Sequence, residues 1–195
     1  ERAFAETPGF EAESFTSLGS GLARLDAFDW LAKISALMQA KKPALVIAMI
    51  GTNDRQPMQT KAGVLQPDTE AWSEEYGRRV GGAMDRMIGG GARAVFWIAM
   101  PDMPTPELQA ACALVNSLIR RQAASRPRVT VLESAPVLSR EPGVYSSYVI
   151  DSRGRLVHVR NQDRVHLNRD GADLLAAHIV GEIRKAFPAP APSGG

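Results

Sequence analysis

Ala44-Leu45-Val46-Ile47-Ala48-Met49-Ile50, closed by Gly51-Thr52-Asn53-Asp54, is the stretch whose reading decides the fold class of this chain. Seven apolar residues without polar alternation predict a strand buried on both faces, and such strands belong to parallel sheets covered by helices. Two further runs repeat the signal, Ala94 to Met100 and Val129 to Leu132, and a shorter candidate, Phe10 to Phe15, precedes the first. Between them, apolar residues recur at helical spacing over about 30–40, 69–88, 106–123 and 168–187. Asn168 is placed as the N-cap of the last helix. Strands alternating with helices give an open α/β sheet with right-handed crossovers, whose sites form beyond the C-terminal strand ends. Gly51 to Asp54 and Pro101 to Pro104 sit at such ends. Residues 144–160 break the alternation around the turn Asp151-Ser152-Arg153-Gly154, which predicts an inserted β-hairpin, a rim or lid.

Composition narrows the function classes. With 195 residues and 45% hydrophobic content, one domain with a substantial core is expected over 1–187, and the Pro/Ala/Gly-rich residues 188–195 read as a tail or linker. The formal net charge is +2 with charges interspersed, which argues against a nucleic-acid partner. Cys112 is the single cysteine and lies in an apolar helical pattern, so it reads as core and provides no disulfide or zinc cluster. No metal and no cofactor is expected. No apolar run spans a membrane and no signal peptide opens the chain. Glu1 to Glu6 reads as the end of a helix stopped by Pro8-Gly9, which suggests a truncated or processed form.

The chemistry concentrates near the C-terminus, in Asp163-Arg164-Val165-His166 followed by Leu167-Asn168. An Asp three residues before a His, just ahead of a helix start, presents a carboxylate and an imidazole to one point, as general-base work requires. Asn53 ends the apolar strand with a side-chain amide that suits an oxyanion. No convincing nucleophile accompanies them.

On these residues the chain resembles the SGNH hydrolases, the GDSL-like lipase and esterase superfamily. Ser17-Leu18-Gly19-Ser20-Gly21-Leu22 is similar to the family's second block, Gly51-Thr52-Asn53-Asp54 to its third, and Asp163-Arg164-Val165-His166 to its last. Residues 18–30 resemble a branch of exported bacterial proteins with a G-T-G-L-x-R-x-D pattern. The resemblance implies a three-layer α/β/α, flavodoxin-like fold and a serine esterase or acetyltransferase acting on acylated cell-envelope carbohydrate, with a periplasmic or exported location. It makes Asp163 and His166 the catalytic pair and Gly19 and Asn53 the oxyanion donors, with Gly21 competing for the role of Gly19. The first block, which carries the nucleophilic serine and the first strand, is absent. The resemblance therefore implies a serine upstream of this chain, an N-terminal segment that completes the sheet, and a chain nearly inactive as written. Arg164 stands where the family usually has Gly.

Blander readings stand beside these. His166 with Asp163 could be a structural loop pair, and Asn53 a turn residue. Ser20 lies in a Gly-Ser-Gly turn but within the block that supplies an oxyanion donor, which makes it a poor nucleophile. Arg24, Asp26 and Arg160 are candidate substrate contacts; the first two equally suit a salt bridge, and Arg160 an exposed surface position. His158 and His178 read as structural, and Met49, Met84, Met87 and Met100 as core. Asp102 and Asp163 lack the further ligands a metal needs. A non-catalytic SGNH-like module binding a glycan or protein is the alternative from another class. A flavodoxin-like regulatory domain would leave the D-x-x-H block unexplained.

Overall fold

Helices begin here where a short polar side chain takes an orphan amide of the first turn. In the computed structural model, which describes residue 4 and residues 6–187, Asp29, Thr69, Thr105 and Asn168 each accept such a bond. The donors are the amides of Ala32, Trp72, Leu108 and Gly171, at 3.0, 3.2, 3.3 and 2.9 Å. The elements run α1 (Trp30–Lys41), β1 (Leu45–Ala48), β2 (Met58–Thr60), β3 (Gly63–Leu65), α2 (Glu70–Gly89), β4 (Ala94–Ile98), α3 (Pro106–Ala123), β5 (Val129–Leu132), α4 (Ala135–Leu138), β6 (Tyr148–Ile150), β7 (Leu156–His158) and α5 (Arg169–Ala186).

Two compact units account for the chain. One comprises Leu18–Pro101 and Thr105–Glu133. It holds a three-stranded parallel sheet in the order β1-β4-β5, with Ile47 opposite Phe96 and Phe96 opposite Thr130. The α/β class with a parallel sheet and helices is thus the one its apolar runs predict. Because β4 is central, four of its five residues are buried, while β1 at the end of the sheet leaves Ile47 39% exposed. Helix α2 packs against both α1 and α3. It buries Trp72 and Tyr76, stacked at 4.9 Å and 5° between ring planes. Fully burying a large apolar side chain contributes roughly 1.5–3 kcal/mol.

The other unit is formed by the described residues of Glu1–Ser17, Asp102–Pro104 and Ser134–Gly195. Its hairpin pairs Tyr148 with His158 and Ile150 with Leu156, and α5 turns Leu175, Ile179 and Ile183 inward. The hairpin expected over 144–160 is present, with shorter strands.

Several expectations need correction. Phe10 to Phe15 forms no strand. Met49 is 42% exposed, so of the four methionines assigned to the core only Met84, Met87 and Met100 are buried. Periodicity does not register the end of a sheet, where one flank has no neighbour. The antiparallel ribbon β2–β3 and the single turn α4 carry patterns too short to read. The helix end expected at 1–6 falls mostly outside the described residues, and the tail at 188–195 wholly so. Among the described residues no helix is long and apolar enough to cross a membrane.

Candidate active site

The loop between β7 and α5 is shaped by one carboxylate. Oδ1 of Asp163 accepts the amides of Val165 and His166, both at 2.9 Å, while Oδ2 meets Nδ1 of His166 at 2.7 Å. The imidazole bond and then the two amides hold the Asp163 carboxyl down at about 2, from an ordinary 3.8. A depressed carboxyl stabilises the fold above its unfolded value and loses that contribution as pH falls toward the folded one, here from about pH 4 to about pH 2. The side chains of His166 and Asp163 are 75% and 49% exposed, so the imidazole is accessible to a reacting group. Asn168 accepts the amide of Gly171 and donates to the carbonyl of His158 at 2.8 Å, tying the helix start to the hairpin.

Arg164 lies at φ 63°, in the left-handed region that favours glycine. Its guanidinium sits 5.5 Å from the centre of the Tyr145 ring, a cation–π contact. The two effects are of similar size. Glycine would remove about 1 kcal/mol of backbone strain, but it would add entropy to the unfolded chain and lose the stacking. Arg164→Gly is therefore expected to shift stability by less than about 1 kcal/mol, and Arg164→Val, β-branched in the same backbone, to cost ~2 kcal/mol. Urea midpoints check this; a Val variant as stable as the parent would mean that the loop does not hold this conformation.

In the sheet-bearing unit, Gly51 to Asp54 closes a tight turn, with the Asp54 amide on the Gly51 carbonyl at 3.0 Å. Asn53 is exposed, and its Nδ2 reaches the Ser20 carbonyl at only 3.4 Å, leaving donor capacity facing out. Gly19 is exposed at φ 66°. Asp54 is fully buried; it accepts the Ala23 amide at 3.0 Å and the Tyr76 hydroxyl at 2.7 Å. Burial raises the Asp54 carboxyl above its ordinary value and raises the Tyr76 hydroxyl well above its own. A methyl group on Gly21 would lie 1.8 Å from Oδ1 of Asp54, so Gly21 is glycine because the carboxylate occupies that space. That separates the two competing glycines: Gly21 packs, and Gly19 is the exposed one.

The remaining candidates divide. Arg24 and Asp26 pair with each other at 2.8 Å. Ser20 Oγ accepts the Trp30 indole N–H at 2.9 Å. Arg160 is 0% exposed and donates to the carbonyls of Val165 and Asp102, each at 2.9 Å. The expectation of an exposed surface position is corrected: Arg160 is enclosed, with Nη1 and Nη2 both held by backbone carbonyls. His158 stacks on Tyr148 at 4.6 Å, and Cys112 is buried.

Arg79, Tyr145 and Asn116 escaped the sequence reading. Arg79, 5% exposed, donates to the carbonyls of Leu22, Ala23 and Gln59 and pairs with Glu75. Its one visible signal was a charge inside the apolar stripe from Tyr76 to Val80. Asn116 on α3 grips both backbone groups of Met100, accepting at 2.7 Å and donating at 2.9 Å.

A family model described as "Protein of unknown function (DUF459)" matches residues 1–182, and the chain belongs to that family. No curated protein matches it. Among solved structures it is similar to LAE5, an alpha/beta hydrolase enzyme from the metagenome of Lake Arreo, Spain. That likeness has a TM-score of 0.56 and 21% identity, covering 84% of this chain and 67% of that one. It is also similar to a mutant of Axe2, an acetyl-xylooligosaccharide esterase from Geobacillus Stearmophilus, with a TM-score of 0.53 and 16% identity over 85% and 68% of the two chains. At these identities the likeness is one of fold.

Proposed function

We propose that this member of the DUF459 family is a serine-dependent ester hydrolase or acetyltransferase of SGNH type, acting on acylated carbohydrate of the cell envelope. The observation that carries the reading is the 2.7 Å contact between Asp163 and Nδ1 of an otherwise exposed His166. The likeness in fold to an acetyl-xylooligosaccharide esterase supports the same chemistry on an acetylated sugar. In the proposed reaction a serine Oγ attacks the ester carbonyl and passes its proton to Nε2 of His166, while Asp163 stabilises the imidazolium. The Asn53 side-chain amide and the Gly19 N–H hold the oxyanion. The departing alkoxide takes the proton from His166. Water, or an acceptor hydroxyl in a transferase, then attacks the acyl-serine with His166 again as base.

The serine in this proposal comes from a segment outside the sequence, an extended strand added along β1. The exposure of Ile47 and Met49 supports it: β1 is strongly apolar yet ends the sheet, and an unpaired apolar edge of this kind recruits another strand.

Labelling with a fluorophosphonate probe and mapping the modified peptide tests the reading. A label on a serine outside the 195 residues, appearing only in a longer form of the polypeptide, is the expected result. A label on Ser20 would reassign the nucleophile. No label in any form would leave a binding module and end the esterase reading. In a labelling form, Asn53→Ala is expected to lower kcat by about 100- to 1,000-fold, the usual loss for one oxyanion donor. Unchanged kcat would return Asn53 to the role of a turn residue.

A further inference from the structure

From the Arg164 amide to the His166 carbonyl, every backbone polar group has a partner. The Val165 and His166 amides go to Asp163. The Arg164 amide donates to the Asn161 carbonyl at 2.9 Å, and the His166 carbonyl accepts the Asn161 amide at 2.7 Å, so Asn161 clasps the loop at both ends. The two remaining carbonyls are taken by side chains from outside the loop. Tyr145 donates its hydroxyl to the Arg164 carbonyl at 2.8 Å, and Arg160 donates Nη1 to that of Val165 at 2.9 Å. The two side chains also support each other, since the Arg160 guanidinium lies 5.3 Å from the Tyr145 ring centre.

Desolvating a guanidinium is costly, and in Arg160 the cost is offset through Nη1 and Nη2, which both donate to backbone carbonyls. Arg160 uses its second arm on the Asp102 carbonyl at 2.9 Å. Asp102 is itself held, its Oδ2 accepting the Ser139 hydroxyl at 2.6 Å and the Gly143 amide at 3.2 Å. A left-handed non-glycine residue at 164 persists only where its surroundings over-determine the backbone. These contacts supply that determination.

We propose that Arg160 and Tyr145 are positioning residues which fix the loop so that His166 keeps its Nδ1–H on Asp163 and presents Nε2 outward. The proposal rests on Asp163 and His166 being the proton-transferring pair. Neither residue touches a reacting atom. They act through the Val165 and Arg164 carbonyls, whose orientation sets where the two amides meet Oδ1 and therefore where Oδ2 can meet the imidazole. Tyr145 contributes through its hydroxyl and its ring, whereas Arg160 contributes through charge, two donors and packing.

Isotope-labelled 195-residue protein allows the test without turnover. Nitrogen shifts of the His166 ring report its tautomer, and the carboxyl carbon of Asp163 reports its titration. In the parent, the Nδ1–H tautomer and an Asp163 midpoint of about 2 are expected. In Tyr145→Phe and Arg160→Met, mixed tautomers and a midpoint rising toward 3.8 are expected, with Arg160→Lys intermediate. Methyl shifts of Leu138 and Ile183, buried in the same unit, report whether each variant is folded. If Arg160→Met does not fold, Tyr145→Phe decides alone, since it removes a single oxygen. Folded variants with the parental tautomer and titration would overturn the proposal. The phosphonate experiment fails or succeeds separately, so loss of the esterase reading and loss of this one are distinct results.

Discussion

Replacing His166 with Ala is expected to lower kcat for acetyl-ester hydrolysis by roughly 10⁶-fold in a serine-bearing form of the polypeptide, with KM little changed. Removing the general base strands the serine proton, and what survives is the catalysis that oxyanion donors and binding supply by themselves. Asp163→Asn keeps the shape of the side chain but turns one acceptor into a donor, favouring the wrong imidazole tautomer, and is expected to cost about 10²- to 10⁴-fold. The pH dependence separates the two partners. Because Asp163 titrates at about 2, it is ionised through the whole working range, and loss of activity on mild acidification must come from another group. Initial rates with 4-nitrophenyl acetate across pH check both statements. A His166→Ala enzyme within a few-fold of the parent would end the dyad reading.

The second large effect is on stability. Asp54→Ala is expected to cost ~3 kcal/mol, because it leaves the Ala23 amide and the Tyr76 hydroxyl buried without their acceptor. In a chain of this size that corresponds to a fall in Tm of about 10 °C. Asp54→Asn retains an oxygen for Ala23 and is expected to cost much less. The sign of the pH effect follows from burial. Since the folded carboxyl of Asp54 is raised above its ordinary 3.8, the native state holds a proton that the unfolded state has released. Stability from this group therefore falls as pH rises from 3.8 through the raised value, and is flat beyond it. Asp163, Asp68, Asp85 and Glu75 are shifted downward and act in the opposite sense. The parent profile mixes these contributions, and the difference between parent and Asp54→Asn isolates the buried carboxyl. A difference profile that rises with pH, or none at all, would contradict its buried state.

Asp54 also shows why motif reading stops where it does. Within Gly51-Thr52-Asn53-Asp54 the sequence marks a strand end with polar groups, but it does not say which of them turns inward. In the fold Asp54 is buried and Asn53 is exposed, one residue apart. The inward place exists because Gly21, 33 positions upstream of Asp54, leaves room for a carboxylate, and because Arg79 and Tyr76 on α2 reach the same segment. None of those three is near it in the chain.

Local patterns were sufficient for much else. An uninterrupted apolar run predicts a strand, and within Ala94 to Met100 the residues Ala94–Ile98 form the central strand of the sheet. A polar cap with apolar residues at helical spacing predicts a helix, as at Asn168. The spacing of Asp163 and His166 brings carboxylate and imidazole together because a three-residue separation closes one turn of backbone. These are short-range matters of sterics and hydrogen bonding, and sequence by itself determined them. Burial is not short-range. Ile47 and Met49 have the pattern of core residues and are exposed because β1 ends the sheet. Arg160 has the composition of a surface residue and is wholly buried because two carbonyls and a tyrosine ring surround it. Tertiary structure alone decided which charges stay in water and which are enclosed, because that choice depends on partners the chain brings in from elsewhere.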